Sequence, residues 1–315
     1  NYLDYAYVTP STTDHALNVS GGNEKLRYYM GGNFMSQNGF LEKLKFKRYN
    51  VRASLEAIIV EGLTASMQLS TNYNTRQQPN FGVGDDLLSM YGKWTQFCFY
   101  GPPYINGNLV NPGWIGNPIG LINESGYNNS GSRGLDALMT LQYKVPFVKG
   151  LSVKVSYSKN NTMGEGKVYQ IQPTLYNYKR TGTTQKIFTD TLLNIIKAPY
   201  PSVPTLSTSN SNTGSYQFNT QVSYARGFGK HFLDLMFVSE IYEQTFSANN
   251  LTRQNFPIIT TDQYFATSSN NADSWGGGSE STVGRTSYVG RLNYDYQQKY
   301  LLSASLRADG SMMFA

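Results

Sequence analysis

The chain has little of what builds metal sites, disulfides or membrane-spanning helices. Its 315 residues include one cysteine, Cys98, and two histidines, so an internal disulfide is impossible and no zinc-binding spacing is present. Charged residues make up 15% of the chain, whereas about a quarter is usual for globular proteins. No apolar run approaches the roughly 18 residues that a spanning helix needs. We therefore expect no cofactor and no metal ion.

The basic residues are too scattered to indicate a polyanionic partner. The net charge of +6 comes from 26 basic and 20 acidic residues, without the runs of lysine and arginine that mark nucleic-acid binding. No catalytic arrangement is recognisable either, because His15 and His231 both lie inside alternating strand patterns. We expect a protein that is not an enzyme and does not bind nucleic acid.

Aromatic and uncharged polar residues are abundant instead. Tyrosine reaches 25 and phenylalanine 16, and 30 glycines accompany many Asn, Ser and Thr residues, so the mean hydropathy is −0.42. Aromatic residues and threonine favour strands. A membrane β-barrel, with one face in lipid and one in water, needs this balance of residues. The composition predicts an all-β fold.

Alternation of apolar and polar residues recurs about ten times, over roughly nine to eleven residues each, which is the length of a tilted strand that crosses a bilayer. In 47–57, Val51, Ala53 and Leu55 belong to the apolar row, which we predict to face lipid. Asn50, Arg52 and Ser54 belong to the polar row, which we predict to face the lumen. The predicted strands are 15–20, 26–36, 47–57, 63–74, 135–144, 151–158, 216–225, 231–242, 286–296 and 300–309.

Short and long connections alternate strictly, as in outer-membrane barrels with short periplasmic turns and long extracellular loops. The short links are 21–25, 58–62, 145–150, 226–230 and 295–299. The long links are 38–46, 75–132, 159–215 and 243–285. Tyrosines gather near strand ends, which predicts two aromatic belts at the lipid–water interfaces. Tyr49, Tyr73 and Tyr157 lie on the long-loop side, and Tyr143, Tyr224, Tyr294, Tyr296 and Tyr300 on the short-turn side.

Three segments resemble the SusC/RagA family of TonB-dependent outer-membrane transporters. They are residues 15–29 (HALNVSGGNEKLRYY) with the continuation to Gly39, residues 48–52 (RYNVR) with Gly62-Leu63-Thr64, and residues 284–311 (GRTSYVGRLNYDYQQKYLLSASLRADGS). The last is a close match over its whole length. It departs from the family only just beyond, where "DGSSRF" is replaced by Asp309-Gly310-Ser311-Met312-Met313-Phe314. The long loops show no such resemblance.

The resemblance implies an outer-membrane importer of oligosaccharides or peptides. It also implies a 22-stranded barrel, an N-terminal plug, a segment that engages TonB, and a lipoprotein lid of the SusD type. Residues 1–315 would then be part of a single barrel domain, about its second to eleventh strands, without the plug and the remaining strands. We expect such an excerpt not to fold alone as a soluble monomer, because its terminal strands would expose unpaired edges.

Substrate contact is predicted on the long-loop side, where aromatic rings can stack on sugars or grip peptides. The candidates are Trp94, Tyr100, Tyr104 and Trp114 in loop 75–132, the weaker pair Trp275 and Tyr264 in loop 243–285, and Arg27, Arg52 and Glu56 in the lumen rows. Packing of the loops would explain the aromatic residues equally well, and solvated pore lining would explain the arginines. Residues 85–97 are predicted to form a short helix capped by Asp85.

Two other functions compete with import. A passive porin or structural surface barrel would lack the plug and the TonB-engaging segment. A soluble all-β carbohydrate-binding module or enzyme would bury its apolar rows in a core and would dissolve without detergent.

Overall fold

A computed structural model describes residues 2–80, 101–113, 116–199 and 201–314. This part of the chain contains two short α-helices, three single-turn 3-10 helices and fourteen strands. The α-helices are α1 (Tyr2–Ala6) and α2 (Pro118–Asn123). The strands are β1 (Ser11–Gly22), β2 (Leu26–Asn38), β3 (Lys45–Val60), β4 (Leu63–Pro79), β5 (Tyr104–Ile105), β6 (Asn108–Leu109), β7 (Gly126–Lys144), β8 (Leu151–Gln170), β9 (Thr174–Thr181), β10 (Ile187–Lys197), β11 (Thr205–Phe228), β12 (His231–Gln254), β13 (Ser274–Tyr296) and β14 (Tyr300–Ser311). No helix in the described ranges is long and apolar enough to cross a membrane.

Ten of these strands form one antiparallel sheet in the order β1-β2-β3-β4-β7-β8-β11-β12-β13-β14. Each of the ten alternating segments of the sequence lies within one of these strands, so the all-β prediction is confirmed. The five short turns are confirmed as well, and the two tightest are Glu61-Gly62, between β3 and β4, and Gly229-Lys230, between β11 and β12. Gly62 has a φ of +82° there, a conformation that costs glycine little. The remaining strands form two separate hairpins, β5-β6 and β9-β10, within the long connections.

The strands of the sheet are longer than the predicted nine to eleven residues. They run from 12 residues in β1 to 24 in β11 and β12, so the long connections shrink to 39–44, 80–125, 171–204 and 255–273. Alternation is visible only where one face meets lipid and the other meets water. Beyond the membrane both faces meet water, so backbone pairing continues through the polar segment 205–214 without an apolar row. The helix predicted over 85–97 lies outside the described residues.

The cross-strand register divides the sheet into an apolar face and a polar face. Ala53 pairs with Met30 and Leu69, whereas Ser54 pairs with Tyr29 and Gln68. Val51, Ala53 and Leu55 thus share the apolar face, as predicted. No second layer covers this face: Leu17 and Leu306, for example, are 74% and 78% exposed. A soluble sandwich would bury such a surface, so the apolar face is the lipid-facing surface of a barrel wall.

Aromatic residues form two belts on this lipid-facing surface. Near the long loops, Tyr49 lies between Phe34 and Tyr73, with ring centroids 4.8 and 6.2 Å away. Near the short turns, Tyr296 lies 4.8 Å from His231 and 6.3 Å from Tyr300.

The spacing of the belts agrees with the thickness of an outer membrane. On β4, Tyr73 belongs to the outer belt, and Leu63 pairs with Tyr143 of the belt near the short turns. Ten residues at ~3.3 Å each, tilted by ~40°, separate the belts by ~25 Å of membrane depth. This separation matches the apolar band of outer-membrane barrels, about 25 Å tall.

Buried side chains concentrate in the long connections rather than under the sheet. One group, the loop cluster, joins α1, link 39–44, α2 and the β9-β10 hairpin, and consists of Ala6, Leu41, Leu109, Ile119, Leu121, Ile122, Leu175 and Ala198. A second group, the clasp cluster, joins β8 and β11 to link 255–273, and consists of Tyr169, Leu206, Phe256 and Ala266. These parts of the long connections are therefore packed structures.

Candidate substrate-facing surface

The polar face of the sheet carries a recess of about 790 Å³. Every second residue of six neighbouring strands contributes to it, because alternation turns one row of each strand towards the same side. The polar side chains of its lining are Tyr29, Arg52, Ser54, Gln68, Ser70, Asp136, Ser158, Asn160, Gln217 and Asn219. This face is the lumen side of the wall, opposite the lipid-facing surface.

Hydroxyl and amide groups dominate the recess. Ser70 Oγ donates to Asp136 Oδ2 at 3.3 Å, and Gln217 Nε2 donates to Asn219 Oδ1 at 3.0 Å. Arg52 makes no ion pair with any residue in the described part of the chain, so its guanidinium can donate to a ligand. The recess can therefore hydrogen-bond a polar molecule.

Three other arginines of the polar face are paired with acidic residues. Arg27 lies 3.6 Å from Glu56, Arg291 lies 3.9 Å from Asp234, and Arg307 lies 3.4 Å from Glu240. Both signs are interspersed, so this wall creates no strong field that would select ligands by charge. Within the described ranges, no three His, Cys, Asp or Glu side chains are grouped closely enough to hold a metal ion.

A second recess, of about 560 Å³, lies nearer to the long-loop end. Small residues on the polar face, Ser130, Gly164, Gly166, Ser209, Ser211, Ala248, Gly277 and Ser279, make much of its lining. These residues form a strip of small side chains, and Trp275 comes just before it on β13. Trp275 pairs with Thr252 and is 49% exposed. Its register puts the indole on the polar face, beside this strip of small residues.

The structure separates the predicted site residues. Arg52 lies in the large recess, and Trp275 lies on the same face at the far end of β13. Arg27 lies near the short turns and pairs with Glu56, which agrees with pore lining. Tyr104 packs against the loop cluster, with its ring 5.4 Å from Tyr5. Trp94, Tyr100 and Trp114 lie outside the described residues.

Burial in the loop cluster alters three titratable groups around Tyr104. It raises the pKa of the Tyr104 hydroxyl, raises the pKa of the Glu124 carboxyl, and lowers the pKa of the Lys43 ammonium. The Lys43 ammonium donates to the Asn123 carbonyl. These shifts follow from packing, because burial disfavours each charged form.

Asn117 organises the loop around Tyr104 by satisfying four backbone groups. Its Oδ1 caps α2 by accepting from Ile119 N at 2.9 Å and from Gly120 N at 3.4 Å. Its Nδ2 donates to the carbonyls of Pro103 and Val110 at 2.8 and 2.9 Å. Asn117 is 1% exposed, so an unmade hydrogen bond there would be costly.

Link 255–273 lies on the outer side of the sheet, beyond the outer aromatic belt. The strand residues that it covers are on the same side of their strands as the lipid-facing rows. Asp262 Oδ2 lies 2.6 Å from Lys167 Nζ and accepts from the Tyr127 hydroxyl. The hydrogen bond from Lys167, and then that from Tyr127, lowers the pKa of the Asp262 carboxyl. Tyr264 hydrogen-bonds Thr208 at 2.6 Å and the Leu251 carbonyl at 3.1 Å. Tyr264 therefore packs this link on the outer side rather than facing the lumen.

Sequence reasoning missed most of the large recess, namely Tyr29, Asp136, Asn160, Gln217 and Asn219. The available signal was their place in the polar rows of alternating segments. That signal predicts which side a residue faces, but not which residues of six strands meet at one height.

The fold and both faces define a wall segment of an outer-membrane β-barrel. No protein-family profile matches the chain. TonB-dependent receptor P3 of Formosa agariphila is 23% identical over 337 residues, and TonB-dependent receptor SusC of Bacteroides thetaiotaomicron is 22% identical over 340. Each alignment covers 100% of this chain and 30% of the relative. The chain thus spans about a third of the length of the curated relatives it matches.

A solved structure described as the RagAB peptide transporter matches 98% of this chain and 33% of its own, with a TM-score of 0.73 and 19% identity. The same importer in its open-open state gives a TM-score of 0.69 with 16% identity. These structures bear on the fold alone. Together with the curated relatives, they confirm the resemblance to the SusC/RagA family and the outer-membrane location.

Proposed function

We propose that this chain forms part of the wall of a TonB-dependent importer of oligosaccharides or peptides, and that it is not an enzyme. The observation that carries the proposal is the lumen-side recess of uncharged polar groups around Arg52, behind a lipid-facing surface. Such a lining suits ligands that present many hydroxyl or amide groups and little net charge. The names of the relatives, TonB-dependent receptors and a peptide transporter, support the same function.

The proposal includes parts beyond these 315 residues. The curated relatives are about three times as long as this chain, which leaves room for a plug domain, for the segment that engages TonB, and for the rest of a 22-stranded barrel. Strands β1 and β14 each have one free edge in the sheet order. Edges in a membrane need partners, and further strands of the same barrel would supply them. A SusD-like lipoprotein would cover the long-loop side.

Substrate contact on the long-loop side begins, in this proposal, at Trp275. Its half-exposed indole stands beside the strip of small residues, where a sugar ring or peptide side chain would find space to stack. The large recess around Arg52 lies further along the lumen and would form hydrogen bonds with the ligand in transit. Trp94, Tyr100 and Trp114 stay candidates of the same kind.

Energy dependence of uptake in the full-length protein tests this proposal against a passive porin. Cells that express it would be given labelled oligosaccharides and peptides, with and without TonB and with and without a protonophore. Uptake of one class that stops when TonB or the proton gradient is removed would support import. Uptake that continues unchanged would show a passive pore.

Alanine substitution tests the contribution of this chain to binding. Trp275→Ala should weaken substrate binding by about 1–3 kcal/mol, by analogy with aromatic stacking on planar ligands. Arg27→Gln is the control, because Arg27 lies on the same face but near the short turns. Equal binding by both variants and the parent would move the site to other loops or to the lid.

A further inference from the structure

Two lysines stand on the outer side of the wall, just above the outer aromatic belt. Lys47 and Lys45 lie on the same face of β3 as Tyr49, two and four residues nearer to the long loops. At ~3.3 Å per residue they lie ~7 and ~13 Å beyond that belt along the strand. Both are exposed. They therefore point away from the lumen at the height where lipid head groups meet water.

Among the described residues, the cross-strand partners of these lysines include no acid. Lys47 pairs with Ser36 and Thr75, and Lys45 pairs with Asn38 and Gln77. In the described part of the chain, neither lysine takes part in an ion pair. Two exposed ammonium groups whose cross-strand partners are hydroxyl and amide side chains have hydrogen-bond donors to offer an anion.

An arginine extends this basic patch two strands away. Arg133 pairs with Tyr73 of the outer belt, and its guanidinium lies 5.9 Å from the centre of that ring. Glu165 approaches Arg133 to 3.3 Å, which leaves a net charge of about +2 for the four side chains. Thr75 and Gly131 occupy the positions between Lys47 and Glu165 in one cross-strand row. The Glu165 side chain leans over Gly131, so small residues separate Lys47 from the Arg133–Glu165 pair.

We propose that Lys45, Lys47 and Arg133 bind phosphate groups of the glycolipid in the outer leaflet. The patch is on the lipid side, so a substrate in the lumen cannot reach it. Its height above the aromatic belt is that of a lipid head group, and its charge complements a phosphomonoester, for which lysine and arginine are the usual protein partners. Lipid bound there would fix the depth of the barrel in the membrane.

The test is lipid retention by the full-length protein in neutral nanodiscs that contain bisphosphorylated lipid A. Native mass spectrometry would count bound lipid A for the parent and for the double variant K45Q/K47Q. Lys→Gln at both positions should weaken retention by roughly tenfold or more, since each basic residue near an anionic surface contributes to binding. K45R/K47R keeps the charge and should retain the lipid. K230Q/K299Q removes two exposed lysines at the short-turn side and should behave like the parent.

Three results would overturn the proposal. Equal retention by the parent and K45Q/K47Q, with both barrels folded by heat-modifiable mobility, would show that the lysines do not hold the lipid. Equal retention of dephosphorylated lipid A by the parent would show that phosphate is not recognised. Loss of lipid A from K230Q/K299Q as large as that from K45Q/K47Q would show that retention follows the net charge of the protein and not this patch.

Discussion

Placing one arginine at three positions on neighbouring strands would test the assignment of the two faces directly. Ala53 lies on the apolar face between Met30 and Leu69, and Ser54 lies on the polar face between Tyr29 and Gln68. Thr75 is on the same side of the sheet as the apolar face, but it lies beyond Tyr73 of the outer belt. The three substitutions are Ala53→Arg, Ser54→Arg and Thr75→Arg in the full-length protein.

Membrane depth sets the size of each effect. Ala53 lies four residues from Tyr49, so it is ~13 Å along the strand and ~10 Å in depth below the outer belt, near the middle of the ~25 Å apolar band. Arginine at the midplane of a barrel costs about 2–4 kcal/mol, and near the interfaces about 0–1 kcal/mol. Ala53→Arg should therefore reduce the folding equilibrium constant by roughly 30- to 700-fold, at 1.4 kcal/mol for each tenfold change. Thr75→Arg should have little effect.

Ser54→Arg separates the effect of charge from that of position. Its side chain enters the solvated recess, where only mild repulsion from Arg52 opposes it, so the cost should stay below about 1 kcal/mol. Folding would be measured by heat-modifiable gel mobility and by urea titration in lipid vesicles. Equal destabilisation by Ala53→Arg and Ser54→Arg, or greater damage from Ser54→Arg, would refute the assignment of lipid and lumen faces.

Two further predictions concern the long loops. Asn117→Ala should remove the cap of α2, at about 1 kcal/mol, and leave the Val110 carbonyl without its side-chain donor, at about 1–3 kcal/mol, whereas the Pro103 carbonyl keeps its hydrogen bond from Val110 N. Proteolysis of loop 101–125 should therefore become faster, and Asn117→Ser should recover part of the protection through its capping hydroxyl; unchanged proteolysis would contradict this role. Since Lys167 lowers the folded-state pKa of Asp262, this pair stabilises link 255–273 above the usual Asp range and loses that effect as the pH falls through the lowered pKa. Asp262→Asn should thus speed hydrogen exchange of the link at neutral pH by at most about fivefold, as for a partly exposed ion pair. The parent should exchange as fast as the variant only in strong acid. Slower exchange in the variant than in the parent at neutral pH would show that the pair is not stabilising.

The alternation of residues by itself located the ten strands and assigned the residues of each alternating segment to one of two faces. These features are local: a side-chain period of two and the contrast between lipid and water are recorded in every strand. Val51, Ala53 and Leu55 could therefore be assigned to lipid, and the short turns could be located, without knowledge of any neighbour. The resemblance of residues 284–311 to the SusC/RagA family added the kind of barrel.

Only the tertiary structure decided where the strands end and what the loops and sites contain. Strand β11 continues through 205–214 because its backbone pairs with β8 and β12, and no side-chain pattern records that pairing where both faces meet water. Tyr104 and Tyr264 have the composition of stacking residues, yet contacts with distant segments pack one into the loop cluster and the other onto the outer side. The recess around Arg52 exists because the register aligns six strands at one height, and a register is a relation between strands that no single segment encodes.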